Sequence, residues 1–325
     1  MRLTRFAPSP TGSLHVGNAL SAVANRSLGY WSLLRIDDTD PARNVPGGEE
    51  ALLGDLDWLG LAWDEGPVHQ SERRARHLEA AQQLGERFDG VTLVREDGSP
   101  TYHLASVVDD IDFGITHVVR GNDHRPNEAL HRRLFEALGA KPPEFVHHGL
   151  ILGEDGKKLS KRAEGATVAQ LREAGIPAEA VRAYLEELGV PRHDVHYDLP
   201  RIERLSTDAI SALSDEELTA RVGAPAELAP ALRGARDLNE AREFASQILE
   251  PEPVTLPEDA RPTIERFKEL AGGEPRETIR ELKAVGGNLR LLRLALTGRD
   301  RGPELWTVVA ALPREEALRR VDAAL

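Results

Sequence analysis

The sequence predicts an α/β domain built on a parallel sheet, followed by an all-α half. Three observations carry this. Residues 1–152 alternate short apolar runs with amphipathic stretches, the pattern of βαβ units with right-handed crossovers. From about residue 168 the strand signal nearly vanishes, and helix patterns follow one another to the C-terminus. Gly189-Val190-Pro191 marks the change, so the expected domains are 1–189 and 190–325.

In the first half, Leu3–Phe6 reads as a strand, Val16–Leu28 as a helix, Ser32–Ile36 as a strand and Glu49–Leu59 as a helix. A helix-like stretch follows Gln70-Ser71-Glu72-Arg73. A hairpin is then expected: Val91–Arg95, a turn at Glu96-Asp97-Gly98-Ser99, and Thr101–Leu104. Thr116–Arg120 and Phe145–Leu152 read as strands around a helix over Glu128–Leu138. In the second half, helices are expected over Val168–Glu173, Ala178–Leu188, Thr207–Ala212, Asp215–Val222, Asn239–Leu249, Arg261–Leu270, Arg276–Val285, Leu289–Leu296, Pro303–Leu312 and Arg314–Ala324. Ser214 with Glu217 three residues on forms a capping-box signal. Proline-rich joints at Ala224–Pro230 and Pro251–Pro257 punctuate this half.

At 325 residues the chain has room for two domains with cores of their own. No run of 18 apolar residues occurs, and Met-Arg-Leu-Thr-Arg-Phe lacks an apolar leader core, so neither a membrane partner nor a secretory signal is expected. Cysteine is absent, which removes disulfides and every cysteine-based zinc site and agrees with a reducing cytoplasm. The formal net charge of −13 opposes general nucleic-acid binding, and no DNA partner is expected. A basic stripe can nonetheless sit on an acidic protein. One candidate is Arg276, Arg280, Lys283, Arg290 and Arg293, readable as a phosphate-contacting face or as an ordinary solvated helix face.

Two motifs carry the chemistry. Pro8-Ser9-Pro10-Thr11-Gly12-Ser13-Leu14-His15-Val16-Gly17-Asn18 links a strand to a helix. Gly12 and Gly17 admit close approach of a nucleotide, the helix N-terminus favours anions, and His15 can donate to phosphate oxygens as charge develops. The second motif, Lys157-Lys158-Leu159-Ser160-Lys161-Arg162, sets four cations in six residues beside Gly156. A mobile cation that closes only over the reacting phosphate acts on the transition state. Together they point to ATP attacked at its α-phosphate. Asp109-Asp110 and Asp112 tempt a metal reading, but adjacent carboxylates on an extended segment diverge, so a structural role is expected and no metal beyond ATP-bound Mg2+.

These motifs, with Arg5-Phe6-Ala7-Pro8, Arg35-Ile36-Asp37-Asp38-Thr39-Asp40, Pro100-Thr101-Tyr102-His103-Leu104-Ala105, Val107-Val108-Asp109-Asp110, Gly114–Gly121 and Pro143-Glu144-Phe145, resemble class I glutamyl-tRNA synthetases, well over 1–190 and loosely beyond. The resemblance implies a Rossmann-like class I synthetase catalytic domain over 1–189, with a helical domain over 190–325 similar to the family's stem-contact and anticodon-binding region. It implies catalysis by His15, Lys158 and Lys161. The ATP site would comprise Pro8, Thr11, Gly12, His15, Gly17, Asn18, Leu159, Ser160 and Lys161. The glutamate site would comprise Arg5, Ala7, Ser9, Asp37, Tyr102, Ser106 and Arg120. Within it, Asp37 suits the α-ammonium, and Arg5 with Tyr102 and Arg120 the γ-carboxylate. Gly121-Asn122-Asp123-His124 aligns with a loop flanking both sites, with His124 facing the ligand. His117, His147 and His148 are expected to be strand or loop residues with satisfied hydrogen bonds.

Three departures stand out. Asn18 replaces a frequent second His, and Asp37 replaces the usual Glu, one methylene shorter. The family's acceptor-gripping insertion is reduced to residues near 70–101. Three readings follow: a compact glutamate–tRNA ligase using ATP, L-glutamate and tRNA; a glutamate-adenylating ligase that acylates a small amine or carrier; and a non-catalytic paralogue. Retention of the terminal helices favours the first.

Overall fold

The computed structural model describes residues 2–325. It divides into two compact units, one running through Glu173 with Val181–Leu199, the other Ala174–Ala180 with Pro200–Leu325. In the first unit the elements are β1 (Leu3–Phe6), α1 (Val16–Leu28), β2 (Trp31–Ile36), α2 (Gly48–Trp58), β3 (Glu65–His69), α3 (Arg74–Leu84), β4 (Arg87–Phe88), β5 (Val91–Thr92), α4 (Tyr102–Asp112), β6 (His117–Gly121), α5 (Glu128–Ala137), β7 (Glu144–His148), β8 (Ile151–Leu152), α6 (Val168–Glu173), α7 (Ala178–Leu188) and β9 (Val195–His196). Of helix α7, Ala178–Ala180 belong to the second unit and Val181–Leu188 to the first.

Strands β1, β2 and β3 form a parallel sheet in that order, and β6 pairs in parallel with β7. Thr116 N–H donates to Leu3 O (3.0 Å) and Leu3 N–H to Thr116 Oγ1 (2.9 Å), which sets the start of β6 beside β1. The chain therefore moves outward through β2 and β3, then returns to the other side of β1. The strand order reverses between β1 and β6, where such folds open a crevice beyond the carboxyl ends. β2 is buried along nearly its whole length, including Leu33, Leu34 and Ile36, as expected of a strand covered on both faces. Helix α1 buries Val16, Ala19, Leu20 and Val23, the i, i+3, i+4, i+7 stripe that its sequence shows.

Four differences from the sequence reading have local causes. Tyr102–Asp112 is a helix where a strand was expected over Thr101–Leu104, because Leu104, Val107 and Val108 pack one face against the α3 and α5 side chains. The hairpin forms earlier: Arg87 and Phe88 pair with Thr92 and Val91 around Asp89-Gly90, both at positive φ, with a single bridge between Val94 and Pro100. The predicted strand Phe145–Leu152 breaks at Gly149, whose N–H donates to Pro191 O (2.7 Å); a Cβ there would lie 1.9 Å from His193 O. Asp109 and Asp110 lie on helix α4, not on an extended segment, and diverge by the helical rotation instead.

The second unit continues with α8 (Leu199–Ala212), α9 (Asp215–Val222), α10 (Ala229–Leu232), α11 (Leu238–Leu249), α12 (Arg261–Leu270), α13 (Pro275–Ala284), α14 (Leu289–Thr297), α15 (Leu305–Ala311) and α16 (Arg314–Ala323). α8 begins eight residues before the predicted Thr207, because Pro200 falls in its first turn, where a missing N–H costs nothing. The Ser214–Glu217 capping box is formed. Leu218, Leu232, Phe267, Leu282, Leu292, Leu296, Val308 and Val321 make the core.

Candidate active site

A cavity of about 590 Å3 opens at the carboxyl ends of β1 and β6. Its walls include Arg5, Ala7, Pro8, Ser9, Thr11, His15, Gly17, Asn18, Asp37, Tyr102, Arg120, Lys158 and Lys161. Residues predicted from two motifs 140 positions apart in the chain thus share one cavity. Gly12, Ser106, Leu159 and Ser160 are outside its lining. Gly12 sits at φ +93° in the turn. Ser106 is buried in α4 with its hydroxyl unpartnered. Leu159 is buried and its N–H donates to Ile151 O (2.9 Å), and Ser160 Oγ accepts from Arg162 N–H (3.2 Å).

The first motif is fixed from below. Asp55 on α2 accepts from Ser13 Oγ (2.6 Å) and Leu14 N–H (2.8 Å), and Arg172 on α6 pairs with its other oxygen (2.5 Å). The loop packs so closely on α2 that a Cβ at Gly48 would stand 2.4 Å from Pro10 O. The same motif joins the segment beyond the lysine loop, because Val16 N–H donates to Ala166 O and Val168 N–H to Leu14 O (both 2.9 Å).

His15 caps α1, and its Nδ1 accepts from Gly17 N–H (3.1 Å), so the ring proton sits on Nε2. Burial first, then the charges of Lys158 and Lys161, push the imidazole down to about 4, with a small opposing effect of the Leu159 backbone. Among the described residues no partner reaches hydrogen-bond geometry at Nε2, leaving a buried donor in a cavity wall. Lys161 Nζ donates to Thr11 O (3.2 Å) and Oγ1 (3.3 Å), and Lys158 pairs with Asp123 (2.5 Å). The basic loop is thereby joined to the first motif and to the segment after β6.

Further in, charges are paired through the sheet. Arg5 Nε donates to both oxygens of Asp110 (3.1 and 3.2 Å), and neither Nη has a partner among the described residues. Arg35, fully buried, donates to Asp37 through Nε (2.8 Å) and to Asp110 through Nη1 (2.7 Å). Burial pushes the Asp37 carboxyl up, and Arg35 pulls it back. Asp109 accepts from Arg73 (2.7 Å), His77 (2.8 Å) and Gln70 (2.9 Å), and Asp112 pairs with Arg73 and Arg76. Both aspartates are thus engaged by basic side chains of the same unit. Among the described residues no three acidic or imidazole side chains converge as a metal site.

Arg120 extends from β6. Its Nη1 donates to Tyr102 Oη (3.3 Å), its Nε to His147 Nε2 (3.2 Å), and its Nη2 is buried without a partner among the described residues. Sequence reasoning left Ser21, Arg43, His103 and Asn127 unassigned, though all line the cavity, and placed Asp123, which also lines it, only in a flanking loop. His124 lines it as expected. His117 and His147 have satisfied bonds, as does His148, with Ser21 (2.7 Å) and Gly149 O (2.9 Å), but His148 also lines the cavity. The signal for Asp123 and His124 lay in Gly121-Asn122-Asp123-His124; nothing in the sequence marked Ser21 or Asn127.

The basic residues of the second unit part company. Arg290 and Arg293 line a hollow of about 500 Å3 with Trp306, over whose ring Arg276 stacks at 3.9 Å. Arg290 pairs with Asp300 (2.6 Å) and Arg280 with Glu277 (3.1 Å), whereas Lys283 is exposed on α13.

The chain is similar to known proteins along nearly its whole length. The family model for the catalytic domain of class I tRNA synthetases (E and Q) matches residues 2–87 and 84–217. A glutamate–tRNA ligase of Rubrobacter xylanophilus is 33% identical over 427 residues, covering 98% of this chain and 97% of that protein. One from Akkermansia muciniphila is 33% identical over 426, covering 98% of each. The 427 aligned positions exceed the 325 residues present by 102, so at least that many positions of the Rubrobacter protein have no counterpart here. A crystal structure of a glutamate tRNA ligase from Elizabethkingia meningosepticum, in complex with its amino acid, superposes with a TM-score of 0.79 at 23% identity over 99% of both chains, which speaks for the fold. With more than half its length matched by the family model, the chain belongs to the class I aminoacyl-tRNA synthetases of the E and Q family and is an enzyme of the ligase class.

Proposed function

We propose that this chain activates L-glutamate with ATP as glutamyl-adenylate and transfers the glutamyl group to tRNA. One observation carries the reading: a single cavity is lined both by His15, Lys158 and Lys161, which we assign to the phosphates, and by Arg5, Asp37, Tyr102 and Arg120, which we assign to the amino acid. The free Nη atoms of Arg5 and the unpartnered Nη2 of Arg120 suit the γ-carboxylate, and Asp37 suits the α-ammonium. The α-carboxylate of glutamate attacks the α-phosphate of ATP and expels pyrophosphate. His15 Nε2–H and the two lysines stabilise the charge that passes to the leaving group. A terminal ribose hydroxyl of tRNA then attacks the acyl carbon and releases AMP. Magnesium arrives with ATP, and residues of this cavity orient the nucleotide without needing a metal cage of their own. The names of the relatives, glutamate–tRNA ligases aligned over nearly the whole chain, support tRNA as acceptor. Among the described residues no helix is long and apolar enough to cross a membrane. We place the enzyme in the cytoplasm, where tRNA is charged.

The segment between β3 and α4 holds a short 3-10 turn (Ser71–Arg73), α3 and the small β4–β5 hairpin, which favours as second reading a transfer to a small amine or carrier. ATP–pyrophosphate exchange across glutamate, glutamine and aspartate, with and without total tRNA, separates the readings. Exchange specific to glutamate that rises with tRNA supports the proposal. Exchange unaffected by tRNA, with a small amine releasing AMP, supports the second reading.

A further inference from the structure

Arg120 is held differently from the other buried guanidiniums of this unit. Arg5 is held by Asp110, and Arg35 by Asp37 and Asp110. Arg120 instead donates from Nε to His147 (3.2 Å) and from Nη1 to His131 Nδ1 (3.5 Å) and Tyr102 Oη (3.3 Å), and its Cζ lies 5.1 Å over the Phe145 ring. Among the described residues no carboxylate forms an ion pair with it.

Because a guanidinium only donates, these contacts fix the protons on both rings. His147 accepts at Nε2, so its proton is on Nδ1, which faces Glu128 at 3.4 Å. Glu128 already pairs with Arg132 (2.7 Å), so its charge is engaged elsewhere. His131 accepts at Nδ1, so its Nε2–H donates to His103 Nδ1 (3.1 Å). Both rings must be neutral to play this part. Burial first, and Arg120 next, push His131 down to about 2 and His147 to about 4, so they are neutral near pH 7.

On the reading that the substrate is glutamate, we infer that His131 and His147 are positioning residues which orient Arg120 by hydrogen bonds while leaving its charge uncompensated, and that this uncompensated charge makes the pocket prefer a side-chain carboxylate to the corresponding amide. A carboxylate in either place would orient the guanidinium as well and would cancel the charge that the substrate is to meet. The buried Nη2 without a partner marks the donor left over for the ligand. The cradle supplies geometry without neutralisation, which a simple packing role would not require.

The test compares neutral and charged acceptors at the same positions. KM and kcat in ATP–pyrophosphate exchange are measured for glutamate, glutamine and ATP in the wild-type enzyme and in His147→Gln, His147→Glu, His147→Leu, His131→Gln and His131→Glu, each checked for folding by its melting curve. The Leu variant, lacking an acceptor, raises KM for glutamate yet keeps the preference over glutamine, and Gln restores much of the loss. The Glu variants lose glutamate affinity on the order of tenfold or more, and the glutamate-to-glutamine ratio falls with it, as expected when a facing charge is cancelled. KM for ATP stays within about twofold throughout, since uniform binding of the nucleotide is untouched. Gln and Glu variants that behave alike would overturn the inference, as would Glu variants that keep the wild-type preference. If either Glu variant does not fold, the one at the other position carries the comparison. A wild-type enzyme that does not prefer glutamate would instead overturn the proposed function.

Discussion

Replacing Arg35 with Met is the sharpest test of how the site is held. Three cations, Arg5, Arg35 and Arg73, face three carboxylates, Asp37, Asp109 and Asp110, beneath the cavity. Arg35 is wholly buried and contacts Asp37 and Asp110 at hydrogen-bond distance, with Asp109 at 3.9 Å. Met matches its apolar stem but leaves one buried negative charge in excess. Breaking a buried pair by removing one partner costs about 3–5 kcal/mol. For a unit of this size each kcal/mol lowers Tm by about 2–4 °C, so Tm should fall by about 6–20 °C. Urea denaturation at pH 7.5 and 5.5 provides the assay. Without Arg35 the Asp37 carboxyl loses its only ion-pair partner among the described residues, its folded-state pKa rises further, and the folded form takes up a proton more readily than the unfolded. The deficit against wild type should therefore shrink as pH falls. Adding Asp37→Asn should recover part of the loss. A cost below about 1 kcal/mol, or a double variant that merely adds the two losses, would refute the charge accounting.

Three further outcomes follow. Lys161→Ala should lower kcat for adenylate formation by about 100-fold or more, with glutamate affinity nearly intact, because its Nζ reaches Thr11 in the turn to which the proposal assigns the phosphates; an unaltered rate removes it from the mechanism. Asp37→Asn should weaken glutamate binding by about tenfold or more through loss of the ammonium partner, measured by calorimetry, and unchanged affinity would reverse the assumed orientation of the amino acid. Six histidines, His15, His103, His124, His131, His147 and His148, are held below their ordinary value of 6.5 mainly by burial. As pH falls from about 6.5 toward 4 the unfolded chain takes up protons that the folded one refuses, so stability is full above that window and declines within it. Melting temperature should drop between pH 7.5 and 5, and a flat profile contradicts the neutral imidazoles.

Much of the fold was legible because it rests on short-range pattern. Val16–Leu28 and Arg261–Leu270 match their predicted limits, since apolar spacing and flanking Gly or Pro act within a few residues. The edge strand Glu65–His69 was not foreseen: Glu-Gly-Pro-Val-His has no alternation, and its pairing with β2 is a long-range fact. Residues 101–104 misled because Thr101-Tyr102 favours strand locally, while the decisive Leu104, Val107 and Val108 stripe lies downstream. In the site, Arg5, His15, Tyr102, Arg120 and Lys161 stood in recognisable motifs and share the cavity. Asp55, Ser21 and the imidazole pair His131 and His147 did not, because their roles arise only when α1, α2, α5 and β7 meet in space. Asp110 was visible as an acid, yet its bridging of Arg5 and Arg35 depends on helix α4 crossing two strands.

The most direct test is transfer of labelled glutamate to tRNA by the purified enzyme, followed as acid-precipitable, base-labile radioactivity with ATP present. Labelled glutamyl-tRNA should form with glutamate but not with glutamine, and Lys161→Ala should abolish it. Glutamate-dependent pyrophosphate exchange with no label on any tRNA would contradict it.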